Sequence, residues 1–367
     1  MRIAFYAPLK PPDHPTPSGD RQVAQLLLEA LRLGGHTPFI AARFRSYDAT
    51  GDLDRQARLR AIGERLAARL LRRWRRQPGT APDLWFTYHL YYKAPDWLGP
   101  IVSRALGIPY VVAEASLAAK RAEGGWRFGH CGVETALRHA DLVLGLNPAD
   151  RAAVVPLLAA PCRYRSLPPF LDAHAYRMRR AARDVPRLIS VAMMRPGDKL
   201  ASYRLLGEAL ASLRELPWSL DIVGDGPARP AVEAALMPLG ARVRYRGALD
   251  RLAVAGALAE AELMVWPAIN EAFGMALLEA QASGVPVVAG DSSGVGAIVA
   301  HGHTGLLVPS GDVAGFAAAV RRLLCDPAAC AAMGAAARKK VRREHDLPVA
   351  ASRLAATLDA VCRVRAA

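Results

Sequence analysis

The strongest chemical signal in the chain is a pair of glutamates set around a strand-to-helix turn. The stretch Asn270-Glu-Ala-Phe-Gly-Met-Ala-Leu-Leu-Glu-Ala-Gln-Ala-Ser-Gly-Val-Pro-Val-Val-Ala289 follows an apolar run that ends at Trp266. A turn with Pro267 and Gly274 leads into a helix. The first free amides of that helix, near Phe273, Gly274, Met275 and Ala276, can hold a diphosphate, helped by the helix dipole. Glu279 falls one to two turns in, roughly 7 Å along the axis. A carboxylate there can accept both hydroxyls of a ribose. Glu271 lies on the approach loop and can meet the hydroxyls of a group on the far phosphate. On spacing alone, two solvated glutamates remain the commoner outcome.

Two further groups of residues carry weaker signals. Arg195 and Lys199 follow an apolar run, Arg187-Leu-Ile-Ser-Val-Ala192, in what reads as a loop. A guanidinium fork and an ammonium can neutralise a diphosphate leaving group; an ordinary solvated loop is the competing reading. Ser18-Gly19-Asp20 follows the first strand-like run, and Gly19 can let backbone approach a ligand closely. The plain alternative is a helix cap. The spacing GxGxxG is missing there, which disfavours a nicotinamide-dependent dehydrogenase.

The elements that position these residues read as two α/β halves. Arg2–Ala7, a proline-rich loop, a helix over 22–33 and a strand over 36–42 make a βαβ opening and predict a parallel sheet. Strands follow at 83–88, 109–113 and 141–145, with a helix over 97–106. The rhythm restarts at Arg187, with strands at 187–192, 218–223, 243–246, 263–266 and 285–289 and a helix over 203–213. The expected domains are 1–172, a linker at 173–186, and 187–346, with a helix near 347–367 packing back on the first domain. A ligand is expected in a crevice at strand carboxyl ends, between the domains.

Composition bounds the function classes. The chain has 367 residues and a formal net charge of +15. That charge suggests nucleic acid, an anionic membrane or an acidic small ligand. Only Lys10, Lys93, Lys120, Lys199, Lys339 and Lys340 are lysines, so the excess is arginine and much of it reads as composition. No stacking-aromatic or groove-reading motif accompanies it, so no nucleic-acid partner is expected. Five cysteines without CxxC spacing argue for reduced thiols. No signal-like or membrane-spanning apolar run stands out, so a cytoplasmic protein is expected. Leu59, Ile62, Leu66, Leu70 and Trp74 recur at helical spacing among arginines from Arg55 to Arg76. Two readings stay open: a dock on anionic lipid at the inner face of the membrane, near a lipid-linked acceptor, or a helix packed on the sheet with a solvated face.

Taken together these residues resemble the family 4 retaining glycosyltransferases (glycosyl transferases group 1), with the GT-B fold of two Rossmann-like domains. The resemblance rests on Ile222-Val-Gly-Asp-Gly-Pro227, Val243-Arg-Tyr-Arg-Gly247, the Glu271/Glu279 pair with Phe273-Gly274, and Gly302-His-Thr-Gly-Leu-Leu-Val-Pro309. It implies a nucleotide-diphosphate sugar as donor and a hydroxyl acceptor, such as a lipid-linked or cell-envelope polysaccharide precursor. It implies that Glu279 binds the donor ribose, that Glu271 contacts the donor sugar, and that backbone at Phe273, Gly274 and Met275 meets sugar and phosphate. Arg195 and Lys199 would stabilise the leaving diphosphate, Gly19 would face donor phosphates or acceptor, and backbone at Gly247 would lie near the base. It implies no metal or other cofactor; the triplet Asp52-Leu53-Asp54 reads as a helix cap.

Four departures from the family pattern matter. Asp20 stands where a second glycine is common. Ala115, in Glu114-Ala115-Ser116, stands where a histidine is common near the reacting sugar; Glu114, Ser116 or His89 can fill that role. Pro168-Pro169-Phe170 replaces a usual Asn-Gly, and Ala297 a usual glutamate. They leave donor binding intact and open a second reading, a nucleotide-sugar-binding protein whose transfer activity is lost or altered.

Overall fold

The computed structural model describes residues 1–16, 18–176, 185–292 and 294–366. It divides into two compact units, Met1–Pro168 with Leu347–Ala367, and Pro169–Asp346.

In the first unit the chain runs through β1 (Arg2–Tyr6), α1 (Gly19–Leu33), β2 (Thr37–Ala42), α2 (Leu53–Arg76) and β3 (Leu84–Leu90). It continues through α3 (Gly99–Leu106), β4 (Tyr110–Ala115), α4 (Arg127–His139), β5 (Leu142–Gly145), the short α5 (Arg151–Val154) and β6 (Tyr164–Ser166). Its strands form a parallel sheet in the order β2-β1-β3-β4-β5-β6. The central strands are apolar on both faces because helices cover both: Phe5, Phe86, Val111 and Val112 are all fully buried.

In the second unit β7 (Arg187–Val191), α6 (Asp198–Ala211), β8 (Ser219–Val223), α7 (Arg229–Leu236), β9 (Val243–Gly247), α8 (Arg251–Ala259) and β10 (Leu263–Trp266) come first. Then follow α9 (Met275–Ala282), β11 (Val287–Asp291), α10 (Val295–Ile298), β12 (Gly305–Pro309), α11 (Val313–Cys325) and α12 (Pro327–Glu344). The parallel order is β12-β11-β10-β7-β8-β9. That is the doubly wound arrangement, which changes direction between β7 and β10. In the first unit the change falls between β1 and β3. Loops that leave such a pair of strands diverge and open a crevice at their carboxyl ends.

After Asp346 the chain returns to the first unit as α13 (Leu347–Ala366), which packs on α1. Gly34 makes close approach possible there: a Cβ at that position would sit 3.2 Å from both the Ala351 carbonyl and the Ala355 side chain.

The structure moves the expected division between the units. Leu171, Ala173 and Tyr176, assigned from sequence to the end of the first domain and to the linker, are buried in the core of the second unit. The Leu171 amide donates to the His345 carbonyl (2.9 Å) and the Ala173 amide to Asp346 Oδ1 (3.0 Å). Of the expected linker 173–186, residues 177–184 lie outside the described residues. The helix expected from Tyr203 starts earlier, at Asp198, so Lys199 sits on the first turn of α6 and not on a loop.

The basic helix α2 is capped by Asp52, whose side chain accepts from the Arg55 amide (3.0 Å). Its buried residues are Gln56, Gly63, Ala67 and Trp74. Its packed seam is therefore rotated from the stripe Leu59, Ile62, Leu66, Leu70, Trp74; Leu66 and Leu70 are partly buried and Ile62 is exposed. Arg58, Arg65, Arg69, Arg72, Arg73, Arg75 and Arg76 are exposed. Among the described residues no helix is long and apolar enough to cross a membrane.

Candidate functional site

In the second unit the motif loop after β10 is held in a conformation that side chains seldom adopt. Ala268 and Asn270 have φ of 52° and 50°, in the left-handed region, at a cost of order 1–3 kcal/mol each. Three hydrogen bonds fix it. The Ile269 amide donates to Ser202 Oγ (3.1 Å), Asn270 Nδ2 to Asp198 Oδ2 (2.9 Å), and the Glu271 amide to Ser292 Oγ (3.0 Å). Gly294 lets the loop lie flat against α10, since a Cβ there would fall 1.8 Å from the Ala272 carbonyl.

This loop delivers Glu271 to Lys199. The Lys199 ammonium is hydrogen-bonded and ion-paired to Glu271 Oε2, which also accepts from Trp266 Nε1 (3.1 Å). Lys199 Nζ stands 5.4 Å from the Trp266 ring centroid. Both charges keep a solvent face, with side chains 26% and 16% exposed. The paired ammonium of Lys199 therefore keeps a face that solvent can reach. The geometry spans the switch point: Lys199 comes from the helix after β7 and Glu271 from the loop after β10.

Phe273, Gly274 and Met275 form the entry to α9. Gly274 is left-handed (φ 69°) and caps α9; its carbonyl accepts from the Leu277 and Leu278 amides (2.8 and 3.3 Å), and the amides before them have no acceptor within the helix. Glu279 lies on the same helix and is buried. Its charge reaches Tyr176, whose phenol is raised above its usual value by burial first and Glu279 next, against Arg251. Gly247 ends β9 with φ 67°, and its carbonyl accepts from the Gly224 amide (2.8 Å). Arg195 is not brought to the ion pair: its side chain is exposed, and its described hydrogen bonds are backbone ones to Met193 and Leu200.

In the first unit a second group gathers at the ends of β1, β3, β4 and β5. His89 and Glu114 both have positive φ, 62° and 60°. His89 Nδ1 lies 2.9 Å from Asp20 Oδ1. Asp20 is in the first turn of α1, beside Gly19, and Ser18 caps that helix through its bond from the Arg21 amide (3.2 Å). Burial opposes a charged His89, but Glu114, Asp20 and Asp150 outweigh it and the imidazole is pushed up to about 9. Burial would raise Asp20, yet the hydrogen bond and charge of His89 hold it below the usual carboxylate value. Glu114, 8% exposed, is raised by burial against the pull of His89. Its Oε2 is buried with no hydrogen-bond partner. Asp150 is raised by burial, against a hydrogen bond from the Ser116 hydroxyl and the His89 charge. The Ser116 amide is used by the Leu90 carbonyl (2.9 Å).

The structure thus brings His89, Glu114 and Ser116 into one group, and Lys199, Glu271 and the entry to α9 into another. Sequence reasoning missed Asp20 and Asp150 as members of the first, and Trp266, Ser202, Ser292 and Tyr176 as supports of the second. Asp20 was visible only as a missing glycine. The others carry no motif, and nothing short of the fold could have found them. Among the described residues no group of three or more His, Cys, Asp or Glu could hold a metal ion.

Comparison with known proteins fits this layout. Residues 185–326 match the family described as glycosyl transferases group 1. A D-inositol 3-phosphate glycosyltransferase of Kineococcus radiotolerans is 33% identical over 244 residues, covering 58% of this chain and 55% of that protein. Across the curated relatives, the matching stretches span a quarter to just over half of their length. Sucrose-phosphate synthase from Thermosynechococcus elongatus superposes with a TM-score of 0.77 at 20% identity, covering 99% of this chain and 100% of that one. Anabaena Alr3699/HepE in complex with UDP-glucose gives 0.71 at 17%, covering 98% and 100%. The fold is GT-B, and residues 185–326 are similar to the glycosyl transferases group 1.

Proposed function

We propose that the protein is a retaining, metal-independent glycosyltransferase of hexosyl type, moving a sugar from a nucleotide-diphosphate donor to a hydroxyl acceptor. The observation that carries this is the Lys199–Glu271 pair beside the open N-terminus of α9, with Glu279 buried further along that helix. Glu279 takes the ribose, the amides at Phe273 to Met275 take phosphate and sugar, backbone at Gly247 lies by the base, and Glu271 meets the sugar hydroxyls. Lys199, joined by Arg195 when donor is bound, offsets the charge of the leaving diphosphate. The bond from the anomeric carbon to the phosphate oxygen breaks. The acceptor oxygen bonds to that carbon on the same face, and its proton passes to the leaving phosphate oxygen.

His89, Glu114 and Ser116 serve the acceptor side, with Gly19 at the mouth of α1. The exposed arginine face of α2 supports a peripheral seat on the cytoplasmic face of an anionic membrane, beside a lipid-linked or envelope-polysaccharide acceptor. Since Trp74 is used in the core, the attraction is electrostatic. Anionic vesicles should pull down the chain at low salt and release it at high salt; no sedimentation at low salt refutes this seat.

Thermal-shift and hydrolysis assays with UDP-, GDP- and ADP-sugars test the main reading. One base family should raise the midpoint and release its nucleotide diphosphate. No shift with any donor sinks the reading. A shift without hydrolysis or transfer favours a sugar-nucleotide-binding protein without catalysis.

A further inference from the structure

Trp266 closes β10 and is 2% exposed. A tryptophan buried this far needs an acceptor for its indole N–H, because leaving that donor bare costs free energy. Trp218, equally buried, uses the Leu213 backbone carbonyl (2.8 Å). Trp266 instead uses a charged side chain five residues on, Glu271 Oε2 (3.1 Å). The left-handed turn at Ala268 and Asn270 brings that side chain back to it. The indole is itself held in place. It meets the Tyr203 ring edge-on with centroids 5.0 Å apart, and the Tyr203 hydroxyl donates to the Ala192 carbonyl (2.9 Å).

Lys199 donates to the same carboxylate oxygen. Two donors fill the two lone-pair sites of Oε2. Among the described residues no hydrogen bond reaches Oε1, and that oxygen is not buried. The carboxylate is therefore made unequal, with one oxygen tied inward and the other open. Lys199 alone could not do this. An ammonium has three rotatable donors and no plane of its own, whereas the indole N–H points one way.

We propose that Trp266 is a positioning residue for the donor sugar: its indole N–H, with Lys199, ties Glu271 Oε2 and presents Oε1 in a single orientation to a sugar hydroxyl. The inference rests on the transferase reading, in which Glu271 meets the sugar, and adds the residue that aims it. A phenylalanine at this position would keep a ring beside Tyr203 and Lys199 but would supply no donor. The carboxylate could then turn about its bond to the ammonium. A misplacement of about 1 Å in a group that places substrate costs about 100-fold in rate.

Two measurements on the full chain test this. The first needs no donor. With nitrogen-15 tryptophan, Glu271→Ala should move one of the six indole N–H signals and leave the others in place, and the moved signal should be the one missing from Trp266→Phe. The second uses whichever UDP-, GDP- or ADP-sugar raises the thermal midpoint. Trp266→Phe should lower kcat for its hydrolysis about 10- to 100-fold and leave Kd for the matching nucleoside diphosphate within about twofold. In the Glu271→Ala background the same substitution should lower kcat no further, since a residue that acts only through Glu271 then has nothing to aim. A residue that merely fills the core would weaken nucleotide binding as well and add its loss to that of Glu271→Ala. If Trp266→Phe fails to fold, the indole signals in Glu271→Ala carry the test. Unmoved indole signals, a kcat like the wild type's, or losses that add in the double variant overturn the proposal. Any of these beside donor hydrolysis by the wild type sinks this inference alone. A moved indole signal with no sugar nucleotide bound sinks the transferase reading, while the bond between Trp266 and Glu271 stands.

Discussion

His89 should make the protein's stability fall with rising pH in a way that one substitution removes. Its imidazole titrates at about 9 in the folded chain, against an ordinary value of 6.5. A folded pKa above the unfolded one means the charged form is favoured by folding. The contribution is whole below pH 6.5 and is lost as pH rises through 9. The shift corresponds to about 3 kcal/mol at 1.36 kcal/mol per unit. The side chain is 18% exposed and its partner Asp20 37% exposed, so solvent screening brings the expectation to roughly 2 kcal/mol. The control is His89→Asn, because asparagine tolerates the left-handed backbone found at this position. Urea denaturation from pH 6 to pH 9.5 should show the wild type losing roughly 2 kcal/mol more than the variant. Subtracting the variant removes the titrating groups that do not interact with His89. Proton NMR of the His89 ring gives the same quantity directly, and Asp20→Asn should lower its midpoint. Parallel pH profiles for wild type and variant, or a ring that titrates near 6.5, would refute the reasoning.

Three further outcomes follow from the second unit. Lys199→Met keeps a chain over Trp266 and deletes the charge; turnover should fall on the order of 10²–10³-fold with the thermal midpoint nearly kept, and unchanged turnover removes Lys199 from the reaction. Glu279→Gln should weaken nucleotide binding by about 10- to 100-fold, the worth of hydrogen bonds to a charged acceptor; equal affinity by calorimetry would end its assignment to the ribose. Gly294→Ala places a methyl 1.8 Å from the Ala272 carbonyl and must displace the loop at 271–274. It should cost about 1–3 kcal/mol and abolish the donor-induced thermal shift; a variant that melts and responds like the wild type would show that the loop is not pinned there.

Much of the fold was legible because its signals are local. A short apolar run followed by a glycine-containing turn and an amphipathic helix reads as βαβ wherever it occurs, and the parallel sheets follow. Boundaries were less legible. Leu171, Ala173 and Tyr176 are surrounded by prolines and arginines in sequence, yet all three are buried in the core of the second unit, Leu171 and Ala173 bonding to His345 and Asp346, whose distance in sequence hides the contact. The rotation of the α2 seam was also hidden. Gly63 lets the helix sit close to the rest of the unit, since a Cβ there would fall 2.5 Å from Trp97 Cβ, and small residues leave no mark in a hydrophobic stripe.

The two site groups differ in how they could be read, and the difference has a physical origin. Glu271, Phe273, Gly274 and Glu279 sit within nine residues on one loop and one helix, so they are neighbours through local chain connection. His89, Glu114, Asp20 and Asp150 come from four separate connections, and only the strand order makes them neighbours. Pairing of β1 with β3 and of β3 with β4 sets their approach. Net charge follows the same rule. A sum of +15 reports the exposed arginines of helices such as α2. It carries no information about the place where topology gathers Asp20, Glu114 and Asp150 around His89, so what surrounds that histidine is set by strand order and not by composition.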